Sequence, residues 1–116
     1  MRASKKNYDR LLTSIAQAKA GQCKKRDLIE DKAFTDIGWE DYLYWQTEDR
    51  KTLRKINTLL KDIERNGNEG IGKPEPLTGD LSGFWSRRIN QKDRLIYALE
   101  MDQIIIIACR YHYDDT

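Results

Sequence analysis

Four side chains between residues 75 and 112 have the types needed to move a proton beside a phosphate. His112 is the single histidine of the 116-residue sequence and stands in the run Tyr111-His112-Tyr113. Histidine titrates near pH 6.5 when unperturbed, so it is the usual side chain for proton transfer around neutrality. Arg88 and Arg94, on two preceding strand-like segments, have the chemistry of phosphate partners. Glu75 lies in Lys73-Pro74-Glu75-Pro76, where two prolines restrict the backbone on both sides. That makes it either a carboxylate held at a fixed angle or an exposed loop glutamate between turn-formers. Taken singly, each residue has a plainer reading. Arg88 and Arg94 are then solvated strand residues, and His112 is an exposed terminal histidine.

Elements must bring these residues together. The stretch Gly83–Tyr113 reads as three short strands joined by the turns Gln91-Lys92 and Met101-Asp102, an antiparallel meander. On the first strand Phe84, Ser86 and Arg88 share one face, and Trp85, Arg87 and Ile89 the other. On the second, Leu95, Tyr97 and Leu99 alternate with Arg94, Ile96 and Ala98. The third, Ile104–Cys109, is apolar on both faces, as a covered central strand would be. Asn66–Ser82 is rich in glycine and proline, and a loop of that length implies a job or mobility. Ahead of it, Asp36 is expected to cap a helix over 37–46, and Thr47 a second one carrying Leu53, Ile56, Leu59, Leu60 and Ile63. Asn66-Gly67 ends the second helix. Their short connection predicts an antiparallel hairpin. The aromatics Trp39, Tyr42, Trp45, Phe84, Trp85 and Tyr97 are assigned mainly to core and dimer packing.

Residues 4–20 predict a helix with Ser4 as N-cap, a stripe of Tyr8, Leu11, Leu12, Ile15 and Ala18, and a stop at Gly21. Short strands are expected at 27–30 and 32–35. Residues 1–32 carry nine basic and four acidic side chains, a balance of +5, and the remainder a balance of −3. That division predicts an arm (1–31) and a body (32–116), with opposite charge favouring docking of one on the other. A negative body excludes the broad positive field of a typical nucleic-acid binder, so any RNA contact needs a local basic patch. Cys23 and Cys109 have no metal-ligand spacing, so no metal or cofactor is expected. No apolar run approaches the roughly 20 residues of a membrane span, and nothing resembles a signal peptide, which points to the cytoplasm.

The pieces WEDYLYWQ, KINTLLKDI, GKPEPL, LSGFWSRRI, RLIYAL and ACRYHY, in that order, resemble the YoeB/Txe toxins of the RelE superfamily. The resemblance spans Trp39–Tyr113 and implies an α+β fold, a small RelE-like domain with a two-helix hairpin packed on a mostly antiparallel sheet. It implies a bacterial, ribosome-dependent endoribonuclease that cuts messenger RNA in the decoding site. Residue by residue, it makes Glu75 the base, Arg94 the phosphate stabiliser, His112 the acid and Tyr113 an orienting group. Arg88 becomes a second phosphate contact, and Lys73, Arg87 and Arg110 weaker RNA-backbone contacts. The family commonly ends near the tyrosine matching Tyr113, whereas Asp114-Asp115-Thr116 follow here, and two carboxylates would repel RNA or favour protonated His112.

Residues 4–30, with the pattern NYDRLLTSI, AG, a basic run and DLIE, are similar to the toxin-neutralising end of YefM-type antitoxins. The arm contacts this implies are Tyr8, Leu11, Leu12, Ile15, Leu28 and Ile29. The chain then reads as an antitoxin end joined to its toxin, autoinhibited in cis or by swapping. Its partners would be the decoding-site messenger, a YefM-type antitoxin or its own arm, and a second copy in a homodimer. The competing reading is a catalytically silent interaction module of the toxin–antitoxin kind.

Overall fold

Residues 104–109, apolar on both faces, lie inside the longest strand of the structure and are covered on both sides. The computed structural model describes residues 5–26, 29–101 and 103–112. Ser4, Leu28 and Tyr113, named above, lie outside the described residues, and Ile29 and His112 enter only through their backbones. The chain runs α1 (Lys5–Lys19), β1 (Lys24–Arg26), β2 (Ile29–Phe34), α2 (Asp36–Glu48), α3 (Arg50–Asn66), β3 (Glu75–Pro76), a 3-10 turn (Gly79–Leu81), β4 (Trp85–Arg88), β5 (Asp93–Glu100) and β6 (Gln103–His112). The six strands form one sheet in the order β1-β2-β6-β5-β4-β3. Only the β2–β6 pair is parallel, so the sheet is mostly antiparallel, as expected.

Several boundaries differ from the sequence reading, each for a local reason. Thr35, not Asp36, caps α2: its backbone is extended and its hydroxyl accepts the Gly38 N–H at 3.0 Å. Asp49, not Thr47, caps α3, accepting from the amides of Lys51 and Thr52. The Asp49 amide also donates to Trp45 O, so one residue closes α2 and opens α3. Of the strands expected at 27–30 and 32–35, residues 27–28 lie outside the described residues, and residues 29–34 form one continuous β2 that crosses the arm–body boundary at residue 31, with β1 before it. Glu75 and Pro76 form a short edge strand rather than loop.

Each face of the sheet has its own core. On one, α2 and α3 pack Tyr42, Ile56, Leu59, Leu60 and Ile63 against Phe34, Leu95, Tyr97, Ile106 and Cys109. The approach of α2 to β6 is so close that a Cβ on Gly38 would stand 2.2 Å from the Ile106 carbonyl oxygen, which glycine alone permits. On the other face, α1 buries Leu11 and Ile15 in the cluster of Ala33, Ile96, Ala98, Ile105 and Ile107. Each such side chain contributes about 1.5–3 kcal/mol through burial. The narrow stripe of α1 is therefore covered by the body of its own chain.

Two irregularities interrupt the β5–β6 ladder. Arg94 faces Tyr111 but Ile96 faces Ala108, so Leu95 stands against both Cys109 and Arg110. The displaced amides of Cys109 and Arg110 donate to one oxygen of the fully buried Asp41, at 3.0 and 3.2 Å. This bulge sets the register of the strand's end, where His112 pairs with Asp93.

Candidate active site

Strand register brings the predicted site residues to one end of the sheet. Glu75 pairs with Ser86, two residues before Arg88; Arg88 pairs with Arg94; Arg94 pairs with Tyr111. Directly paired residues share a face, as do residues two apart on a strand. Glu75, Arg88 and Arg94 therefore share the face occupied by α1, together with Ile96 and Ala98. His112 is next to Tyr111 on β6, and its backbone lies in the same corner.

The environments of these residues differ. Glu75 and Arg88 are exposed, whereas Arg94 is buried. The Arg94 Nη1 donates to the carbonyls of Asn90, Gln91 and Asp93, which anchors the guanidinium to the β4–β5 turn. Lys73 is exposed, with the positive φ of +50° that continues the preceding glycine-rich turn. Arg110 turns away from this group, its guanidinium carbon 3.6 Å from the centre of the Tyr44 ring on α2. Among the described residues no group of histidine, cysteine and carboxylate side chains could hold a metal. The Cys109 thiol is wholly buried and pushed well above its ordinary pKa, which makes it a core residue and not a nucleophile.

Arg87 is a correction. Expected as an RNA-backbone contact, it is completely buried on the opposite face. Its Nη1 donates to Asp62 at 2.5 Å and to Ile71 O, its Nη2 to the carbonyls of Gly67 and Glu69, and its Nε to the Tyr97 hydroxyl. The guanidinium thus gathers the loop that leads to Lys73 and Glu75 and fastens it to α3. Strand alternation correctly gave Arg87 and Arg88 opposite faces, but it could not show which face was dry. An Arg87→Met variant is expected to lose about 1.5–3 kcal/mol, because it removes the charge-assisted hydrogen bonds by which the buried guanidinium holds the carbonyls of Gly67, Glu69 and Ile71 and ties the loop to α3. In a thermal melt that is a fall of roughly 5–15 °C.

The Arg87 bond holds the Asp62 carboxyl below its usual range, with burial opposing. A depressed folded-state pKa contributes stability above the unfolded value, near 3.9, and loses it as pH falls through the folded value. Melting of an Asp62→Asn variant should therefore fall less steeply below about pH 4 than that of the unaltered chain.

Polar contacts that hydropathy does not reveal complete the seat of α1. The Ser14 and Thr35 hydroxyls lie 2.6 Å apart, and Ser14 donates to Ile107 O at 2.6 Å. Thr35 therefore caps α2 and receives α1 with the same oxygen. Arg10 donates to Asp41 at 2.7 Å, the carboxylate that holds the β6 bulge. Gln17 accepts the Asp36 amide. Of the expected arm contacts, Leu11 and Ile15 are buried and Tyr8 and Leu12 half-buried. Arg10, Ser14 and Gln17 were missed. The available signal was their spacing of four and three, which draws a polar stripe beside Leu11, Ile15 and Ala18. The partners of Gln17, Ser14 and Arg10 progress along the body from Asp36 through Ile107 to the bulge at 109–110. The first turn of α1 is therefore directed toward the Tyr111 end of β6, where Arg94 lies.

The topology and the corner of Glu75, Arg88 and Arg94 define a small RelE-like α+β domain carrying an N-terminal helix and strand. The family described as the YoeB-like toxin of the bacterial type II toxin–antitoxin system matches residues 34–113. Toxin YoeB of Escherichia coli K12 is 55% identical over 80 residues, covering 69% of this chain and 95% of that protein. The heterotetrameric YoeB–YefM complex from Staphylococcus aureus superposes with a TM-score of 0.68 at 51% identity, over 71% of this chain and 95% of the matched chain. The Staphylococcus aureus YoeB dimer does so with a TM-score of 0.67 at 51% identity and the same coverage. The chain belongs to the YoeB toxin family of type II toxin–antitoxin systems. Residues 1–33 lie outside the matched region, which is nearly a whole relative in length.

Proposed function

We propose that this chain is a ribosome-dependent endoribonuclease that cuts messenger RNA, held inactive by its own N-terminal arm. The observation that carries the reading is the cross-strand row of Glu75, Arg88 and Arg94, on the sheet face where α1 lies. In the reaction Glu75 takes the proton of a ribose 2′-OH, and the oxygen attacks the adjacent phosphorus. Arg94, with Arg88, meets the negative charge of the phosphorane. His112 gives a proton to the departing 5′-oxygen, and Tyr113 orients the groups. The products are a 2′,3′-cyclic phosphate or 3′-phosphate and a 5′-OH end. Lys73, exposed on the loop before Glu75, contacts the RNA backbone, whereas Arg110, held over the Tyr44 ring on the other face of the sheet, does not.

The arm acts by occupying space. Glu75 and Arg88 stay exposed, so the mask does not bury the base. Instead α1 fills the sheet face beside Arg94 and Tyr111 and keeps a nucleotide from lying across it. Joined to the body by β2, the arm is present at a high effective concentration, on the millimolar scale of a short tether. The arm's resemblance to a YefM-type antitoxin gives it the same task as a separate antitoxin, which is this chain's expected partner when the arm is released. Homodimers like that of the staphylococcal relative are expected as well.

The test is cleavage of messenger RNA on programmed ribosomes by the unaltered chain and by residues 32–116, with analysis of the new ends. Cleavage by the shorter form alone, with cyclic or 3′-phosphate ends, is the expected result. A folded shorter form that does not cleave moves the function to a silent interaction module. Equal cleavage by both removes the mask.

A further inference from the structure

The negative body requires a local basic patch if it is to meet RNA, and α3 carries one. At 100° per residue, Arg50, Arg54, Lys61 and Arg65 fall within an arc of about 60° along roughly 22 Å of helix. All four are exposed, with exposed Lys51 and Lys55 beside them. The buried residues Ile56, Leu59, Leu60 and Ile63 lie on the opposite side of the helix. Asp62 and Glu64, the carboxylates of the last two turns, are drawn away from the stripe, Asp62 to Arg87 and Glu64 to Lys32. Among the described residues none of the six cations forms an ion pair, so their charge faces solvent.

We infer that the outward face of α3 is a docking surface for RNA backbone phosphates, and that it stays open while the arm occupies the other side of the sheet. The inference rests on the RNA-cleaving reading and extends it to how the masked chain is held. A straight, mostly arginine stripe fits a run of phosphates, which arginine meets with its planar fork; Asp49, the cap of α3, offsets only its first turn. α1 and α3 lie on opposite faces of the sheet, so docking of the arm leaves the stripe accessible. A toxin that reaches messenger inside a cleft walled by ribosomal RNA needs one face for the substrate and another for the wall. On this assignment the masked chain remains ribosome-bound, and release of the arm acts on a toxin already in place.

The experiment uses the intact chain and purified 70S ribosomes, with co-sedimentation between 50 and 200 mM salt. Each phosphate contact contributes about 0.7–0.9 to the slope of log affinity against log salt. A triple Arg54→Gln, Lys61→Gln, Arg65→Gln variant should lower that slope by about 2–3, and lower affinity at 0.1 M salt on the order of 10²-fold. The charge-matched control is Lys19→Gln, Lys24→Gln, Lys92→Gln, three exposed lysines off the stripe. All six positions are exposed, and a thermal melt checks that both variants fold.

A loss confined to the stripe variant is the expected result. Equal losses in both variants reduce the effect to net charge and overturn the assignment. So does unchanged binding of the stripe variant, or absence of ribosome binding by the intact chain. A His112→Ala chain should bind as the unaltered chain does. Failure of cleavage by a folded, arm-free form (residues 32–116), with stripe-dependent binding of the intact chain preserved, would remove the nuclease reading and leave the docking surface standing.

Discussion

An Ile15→Asp chain, otherwise intact, is expected to cleave messenger RNA on programmed ribosomes about 10²–10³ times faster than the unaltered chain. Ile15 is 3% exposed and packs in the cluster with Ile96, Ala98, Ile105 and Ile107. Replacing it removes roughly 2 kcal/mol of apolar burial and places a carboxylate where nothing pairs with it. A docking equilibrium weakened by about 3–4 kcal/mol shifts the open population by two to three powers of ten, at 1.4 kcal/mol per tenfold. Arg10→Gln should act in the same direction but less, about tenfold, because it removes one charged hydrogen bond and leaves Asp41 its two backbone donors. Rates are read by single-turnover cleavage, with a melt to show that the body keeps its fold. An Ile15→Asp chain that undocks its arm, seen as faster proteolysis of residues 5–26, yet gains no activity would defeat the autoinhibition.

The second large effect is expected in that released background. Glu75→Ala and His112→Ala should each lower the cleavage rate by about 10²–10⁴, the usual loss when an acid or base is removed. Arg94→Ala should cost on the order of 10²–10³ through the phosphorane. The three losses should not add, because one transition state uses all three groups. Ribosome binding should be unchanged in the Glu75 and His112 variants, which separates chemistry from docking. Arg94 needs its own control, since its Nη1 also anchors the β4–β5 turn. A melt that falls as far as the activity would make Arg94 a turn anchor. A silent interaction module would be indifferent to all three substitutions.

Much of the fold was legible because its signals are local. The periodicity of Leu53, Ile56, Leu59, Leu60 and Ile63 identified α3, and Gly67 its end, where φ is +62°. Apolar residues on both faces of 104–109 identified a covered strand. Caps were misread by one or two residues. Asp36, Thr47 and Asp49 all have side chains that can cap, and only backbone geometry chooses among them. Register was less accessible still, since the bulge opposite Leu95 depends on Asp41, 68 residues before Cys109.

The sequence by itself determined the α+β class and the order of the body elements, and it named the candidates for phosphoryl chemistry. Those follow from residue type, periodicity and motif order, which short stretches carry whole. It also placed Arg87 and Arg88 on opposite faces of one strand. Only the tertiary structure decided which of them is dry, because burial depends on α3 and the 67–72 loop closing over Arg87. Likewise, only the structure seated the arm on its own body, through Ser14 on Thr35 and Arg10 on Asp41. These contacts join residues 21 and 31 positions apart, and their geometry exists only once the sheet has formed.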